Sequence, residues 1–304
     1  MDNVFKNFYR SLYLKSGGFI STVPANIQIY PGDFFQIHNG QIVILGNIFK
    51  DNLIDVGSYT LDTQQPQNQA SWSFSDGVSK PFSKRAQGEN PIEGEFEFSK
   101  HIFSFNQKGS FIFKGTDPLA SKIGNWNGFK DMLIIKLAYE AYSFREVYVA
   151  TQTVTLENWT LAVAGAEEAE LELATEEENF GLVDIFGHAS AKTLQSKEIE
   201  YYFREDKRKP VFFKAKKMIV NAEKFDSHLA SLFAINKERE AWVEKFYDLG
   251  YSPILVGGTP NFSNIPATNL LDMLQPGDLD RNTVLEFFSW EDTNLDDIEL
   301  LNAF

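Results

Sequence analysis

Residues Glu146–Asn179 read EVYVATQTVTLENWTLAVAGAEEAELELATEEEN, and the fold turns on how this stretch is paired. Val147 and Val149 share one phase, and Tyr148, Ala150 and Gln152 the other. Beyond Asn158, Trp159, Leu161 and Val163 alternate with Thr160, Ala162 and Ala164. A period of two is the mark of a strand with two distinct faces, so the stretch predicts two strands that fold back as a hairpin. Seven glutamates then fall between Glu167 and Glu178 with no basic residue among them, which predicts a solvated acidic loop.

Working outward, the chain has 304 residues, 43% hydrophobic and 23% charged, enough for a sizeable core in one domain or a domain with an appendage. It has 28 phenylalanines and no cysteine, which excludes disulfides, thiol catalysis and zinc–cysteine sites and fits an intracellular setting. The first residues lack the apolar core of a signal peptide, and no run of eighteen apolar residues exists to form a membrane helix. The net charge is −14 and uneven: residues 226–304 carry 14 acidic and 4 basic side chains, the rest 28 and 24. An acidic tail on a nearly balanced body argues against a nucleic-acid partner, which needs a basic face.

Residues 3–14 predict an amphipathic helix with Val4, Phe5, Phe8 and Leu12 on one face and Lys6 and Arg10 four apart on another. Lys15 follows, and Gly17-Gly18 stop the helix. Strands are expected in IQIYPGD and in FFQIHNGQIVILG, where Asn39-Gly40 signals a tight hairpin. Residues 63–70 read as a loop and 78–93, rich in Lys, Ser and Pro, as irregular chain. FEFSKHIFSFNQKGSFIFKG predicts two strands, with a bulge near Lys100 because the Phe96/Phe98 and Phe103/Phe105 pairs differ in phase. Residues 126–143 predict a mostly buried helix, KEIEYYFREDKRKPVFFKAKKMIV two strands around a basic turn, and 236–248 a helix ending at Gly250. His38, His101, His188 and His228 show no metal-ligand spacing, and neither GHAS nor LVGGTPN completes a nucleophile or phosphate-loop motif. No cofactor, metal or catalytic residue is expected, and the chain reads as a non-enzyme.

The order of these features carries a resemblance. A short basic helix is followed by VPANIQIYPGD, a hairpin region, a buried helix, EVYVATQTVTLENWTLAVAG and, after an insert, KPVFFKAKKMIV. Over about residues 1–224 this resembles the pore-forming domain of the bacterial gasdermins. The resemblance implies an α+β fold, a twisted mixed or antiparallel β-sheet with packed helices, over 1–224, and a C-terminal segment, 225–304, that holds it inactive or binds a partner. It further implies a protein that is cytoplasmic while inactive. After an activating protease removes the tail, the protein would assemble as a homo-oligomer in the inner membrane and kill the cell during anti-phage defence. Two departures stand out: no cysteine is present for lipid attachment, and the tail is long for that family.

On that reading Lys6, Arg10, Lys15, Lys207, Arg208 and Lys209 would meet anionic lipid. Val147, Val149, Trp159, Leu161 and Val163 would line a membrane hairpin, since a spanning strand needs about 9–11 residues. The glutamates would have to stay in water, because seven at a bilayer centre would cost on the order of 20 kcal/mol. In the tail, Trp242, Phe246, Phe287 and Trp290 would anchor the inhibitory segment, and the loop around Asp278, Asp280 and Arg281 would be open to cleavage. The alternative is a soluble β-rich assembly or binding protein, phage-structural or a defence adaptor, in which valines and Trp159 cover an ordinary core.

Overall fold

The computed structural model describes residues 4–55, 57–90, 94–139, 147–175, 186, 191–221, 223–224, 227, 254–256, 259–261 and 281–299. In chain order the elements begin α1 (Val4–Lys15), β1 (Ile20–Ser21), β2 (Asp33–His38), β3 (Gln41–Asn47), β4 (Thr60–Pro66), β5 (Ser71–Asp76), β6 (Val78–Asn90), β7 (Gly94–Phe105), β8 (Phe111–Thr116) and β9 (Leu119–Gly124). They continue with α2 (Trp126–Tyr139), β10 (Tyr148–Leu156), β11 (Trp159–Ala164), β12 (Ala169–Thr175), β13 (Lys192–Lys197), β14 (Ile199–Glu205), β15 (Lys209–Val220), β16 (Ile254–Val256) and β17 (Thr259–Asn261). The last are α3 (Arg281–Phe287), β18 (Phe288–Asp292) and α4 (Leu295–Glu299). The fold is α+β, with antiparallel sheets and few helices. The helix expected at 236–248, with Trp242 and Phe246, and the residues Asp278 and Asp280 lie outside the described residues.

An eight-stranded sheet runs β1-β15-β10-β2-β3, with β18 added to β15, and with β9 joining β10 and carrying β4. Its centre is the opening stretch. β10 lies against β15 along its length and shares its other edge between β2 and β9. The alternation read from sequence holds: Val147 and Val149 pack with α2 residues Phe129 and Leu133, while Tyr148 and Ala150 face the opposite cluster around Phe8 and Phe213. The expected hairpin does not form. β11 pairs with β8 and β14 in a second sheet, so the chain crosses between sheets at Glu157-Asn158. β14 and β15 repeat the manoeuvre, each pairing elsewhere, with 206–208 as the second crossing.

Two four-stranded sheets, ordered β14-β11-β8-β5 and β13-β12-β7-β6, match strand for strand. Gly77 (φ 62°) separates β5 from β6, and Glu198 (φ 53°) separates β13 from β14. Together they form one four-stranded ribbon made of two long hairpins. β6 has 13 residues and β7 has 12, so the Lys/Ser/Pro-rich stretch expected to be irregular is a strand. The register of β7 on β12 runs unbroken through Lys100; the irregularity lies on β6, between Ser79 and Phe82. The glutamate stretch also begins as a strand. Ala169, Leu171 and Leu173 are fully buried, while Glu170 and Glu172, on the other parity, are partly exposed.

Two turns were legible. Asn39 (φ 49°) and Gly40 (φ 77°) are both left-handed, as a two-residue hairpin turn requires, and pair His38 with Gln41. Gly109 (φ 82°) turns β7 into β8 beneath α1, where an added Cβ would lie 2.8 Å from both Asn7 Cβ and the Val4 carbonyl oxygen. Elsewhere VPANIQIYPGD is irregular chain rather than a first strand, and part of the expected loop at 63–70 is β4.

Candidate functional site

α1 is seated by its apolar stripe. Phe8, Tyr9 and Leu12 are buried, and the Phe8 ring meets Phe111 of β8 edge-on at 5.1 Å. Burial pushes the Tyr9 phenol up. Lys6, Arg10 and Lys15 lie on the exposed side. Lys15 Nζ stands 3.4 Å from Asp76 Oδ1, and Ser11 Oγ donates to Asp76 Oδ2 at 2.6 Å. At the β14–β15 crossing, Arg208 pairs with Asp117 and Lys209 with Glu205, and the bond from Lys209 holds Glu205 below the ordinary carboxylate range. These basic residues do not form one patch. Asp76 is registered on Phe111 while Arg208 reaches Asp117, six residues further along, about 20 Å at the rise of a strand.

The C-terminal segment occupies the edge of the central sheet. β18 pairs antiparallel with β15, Phe288 opposite Val220 and Asp292 opposite Lys216. Val284, Phe287 and Phe288 enter the α2 cluster, and the partly buried Trp290 packs against it. Trp290 Nε1 donates to the Lys130 carbonyl at 3.0 Å, and its ring meets Trp126 edge-on at 5.4 Å. Phe287 and Trp290, expected as anchors, are thus joined to the body; Arg281 begins α3.

Polar contacts complete the seat. Asn294 caps α4, accepting from the Asp296 and Asp297 amides at 2.8 and 3.2 Å, and its own amide donates to Asp297 Oδ2 at 2.9 Å. That is a reciprocal capping arrangement. Asp297 Oδ1 meanwhile accepts from Tyr148 Oη at 3.0 Å and from Lys217 Nζ at 2.8 Å. Its side chain is 4% exposed. Lys216 Nζ pairs with Asp292 at 2.6 Å. Tyr13 of α1 donates its hydroxyl to the Thr293 carbonyl at 3.0 Å, and burial, then Asp297 and Asp292, push that phenol up. One acidic segment therefore touches the central sheet, α2 and the basic helix α1. Sequence reasoning missed Asp297 because Asp296-Asp297 in an acidic tail looks like any solvated pair; the signal was the Asn294-x-x-Asp297 spacing of a helix cap.

The residues expected to line a membrane hairpin are interior. Val147, Val149, Leu161 and Val163 are at most 1% exposed and Trp159 is 2% exposed. Their strands belong to different sheets, each with neighbours on both edges, so they serve as core. On the ribbon, Phe103, Phe105, Leu171 and Leu173 form a separate apolar cluster with Phe186, whose ring is 5.7 Å from Phe103. His101, 6% exposed, has neither ring nitrogen hydrogen-bonded. No group of metal-ligating side chains occurs among the described residues, and no described helix is long and apolar enough to cross a membrane.

No protein-family model and no curated protein matches the chain. Among solved structures, the cryo-EM structure of the Gasdermin A3 membrane pore aligns with 71% of this chain and 90% of that one, at 9% identity and a TM-score of 0.24. A likeness that weak assigns neither a fold nor an activity by itself.

Proposed function

We propose that the chain is a non-catalytic, gasdermin-like pore former held inactive by its C-terminal segment. The observation that carries this reading is the ribbon. It offers two long hairpins in one four-stranded sheet, and β6 and β7, of 13 and 12 residues, exceed the roughly 9–11 needed to span hydrocarbon. β5–β6 and β13–β14 are its outer strands, and joining these edges between copies closes a barrel, the one arrangement of strands that lipid tolerates. The spanning hairpin of this proposal is therefore β6–β7, not the buried β10 and β11; β12 and β13, of 7 and 6 residues, fall short of that length by themselves. β12 alternates as a barrel wall requires, Glu170-Leu171-Glu172-Leu173, and its register sets Phe103 of β7 opposite Leu171 and Phe105 opposite Ala169. The glutamates then face a wet lumen, and the leucines, now packed with Phe186, turn to lipid.

Lys6, Arg10 and Lys15 on α1 would dock the helix to anionic lipid, with Lys207, Arg208 and Lys209 as a second contact. Cleavage between Asn261 and Arg281 would free β18 and α4, and cell death in anti-phage defence is the biological outcome this reading gives. The test is dye release from anionic vesicles by the full chain carrying an engineered protease site after Pro276. The uncut protein should be silent and the cut protein should leak. Complete cutting without leakage, including after α4 is shown to have dissociated, sinks the proposal. The second reading, a soluble assembly without membrane activity, is favoured by the burial of Val147, Val149, Trp159, Leu161 and Val163 as ordinary core.

A further inference from the structure

Four left-handed residues stand in a line across the ribbon. Gly77 (φ 62°) lies between β5 and β6, Gly109 (φ 82°) between β7 and β8, Glu168 (φ 57°) between β11 and β12, and Glu198 (φ 53°) between β13 and β14. A left-handed residue turns the chain out of the extended path, so no strand runs straight through this line. The chains stay side by side there. The Asn106 amide donates to the Gly77 carbonyl at 2.7 Å, the Gly109 amide to Ala164 at 2.9 Å and the Gly165 amide to Glu198 at 2.8 Å. These bonds run between neighbouring chains; they do not hold one sheet against the other.

The ribbon is bent at this line, and Phe186 sits inside the bend. Its ring is 5.7 Å from that of Phe103 in β7 and 6.3 Å from that of Tyr202 in β14, so those two rings lie within about 12 Å of each other. Leu171 pairs with both Phe103 and Ser196, which sets Phe103 level with Ser196 of β13. Ser196 and Tyr202 are six residues apart, about 20 Å along a straight strand. The difference measures the bend. Phe186 is 1% exposed, and its cluster draws Phe103 and Leu171 from one sheet and Ile112 and Ala162 from the other.

We infer that the line is a hinge between the two four-stranded sheets and that Phe186 is the pin that fixes its angle. A core residue of one sheet would touch that sheet; Phe186 touches rings of both. A hinge needs a few positions that absorb changes in φ and ψ while the ladders on either side stay intact, and the four junctions supply one such position in each chain. The inference concerns the intact, uncut protein and does not depend on the membrane reading. Its bearing on that reading is one of order: Phe186 must leave before Leu171 and Leu173 can turn to lipid.

The chain has no cysteine, so two spin labels can be attached without background. Ser71→Cys on β5 and Thr193→Cys on β13 are exposed positions in different sheets, six and five residues from the line. Each swing of about 20° moves a label six residues out, about 20 Å of strand, by about 7 Å. In the full-length chain the distance between the labels should be single and narrowly distributed. Phe186→Ala should broaden the distribution and shift its mean by several ångström, while hydrogen exchange of a peptide spanning β10 stays at the parent rate. Phe186→Leu, which keeps an apolar side chain, should restore most of the parent distance. A Phe186→Ala protein with the parent's distance distribution overturns the inference. So does loss of β10 protection in both variants together with the shift, which would make Phe186 ordinary core rather than a pin.

Discussion

Asp297 is the residue whose loss should do most to unseat the tail. Its carboxylate is 4% exposed and accepts from Tyr148 Oη and Lys217 Nζ while its second oxygen closes the α4 cap. Hydrogen bonds to a charged group contribute about 1.5–3 kcal/mol each, and Lys217 is 21% exposed, which screens its share. Replacing Asp297 with Asn keeps the shape and much of the cap but removes the charge and places amide hydrogens against two donors. A net loss of about 2 kcal/mol opens the tail roughly thirtyfold more often. The assay is hydrogen exchange, followed by mass, of a peptide spanning Phe288–Asp292 against one spanning Phe111–Thr116. The Asp297→Asn protein should exchange faster in the first peptide alone, and Lys217→Met should add little to it, since both act through one contact. If β18 exchanges within about twofold of the wild-type rate, Asp297 does not hold the tail and the reasoning fails.

Three further outcomes are expected. Leu161→Ala, at a fully buried site, should cost about 2–5 kcal/mol in denaturant unfolding; a loss below about 0.5 kcal/mol would contradict the interior placement of β11. Gly109→Ala combines a left-handed residue with a clash against Val4 and Asn7, and should loosen α1, seen as faster exchange of the 4–15 amides than in the parent. Burial lowers the His101 pKa, so the fold favours the neutral ring; no penalty exists above the ordinary histidine value, and stability falls as pH drops below about 6.5. His101→Phe should flatten that part of the melting-temperature profile between about pH 7 and 5.5, and an unaltered profile would show that His101 is not its source.

What was legible in the sequence was local. α1 ends within a residue of its expected position because an apolar stripe and a Gly-Gly stop are both short-range signals, and the Asn39-Gly40 turn states its own geometry. The phase of β10 was also readable, since burial on two faces follows from alternation. Its partner was not. Strands adjacent in sequence usually pair, and nothing in Glu157-Asn158 announces that the chain leaves one sheet for another. β6 was missed because Lys, Ser and Pro are poor strand formers in isolation; β7 supplies a ladder that overrides them. The glutamates hid a second alternation, Ala169-Glu-Leu-Glu-Leu173, which composition alone had averaged into a loop. Phe287 and Trp290 stood out as apolar residues in an acidic tail, whereas Asp297, acidic among acids, did not.

β15 joins these regions in one strand. Its first residues, Lys209 and Pro210, lie at the crossing where the ribbon leaves the central sheet, and its last, Lys216–Val220, carry β18. β10 ladders it from Lys209 to Lys217, with two register shifts on the way, so its two ends are coupled through paired strand. A force that swings the ribbon outward therefore changes the grip on the tail, and by thermodynamic linkage a bound tail resists the swing by the same free energy. On the proposed function the tail and the ribbon would be the lock and the moving part, two ends of a single lever, and a ligand that merely stiffens the ribbon would tighten the tail without touching it.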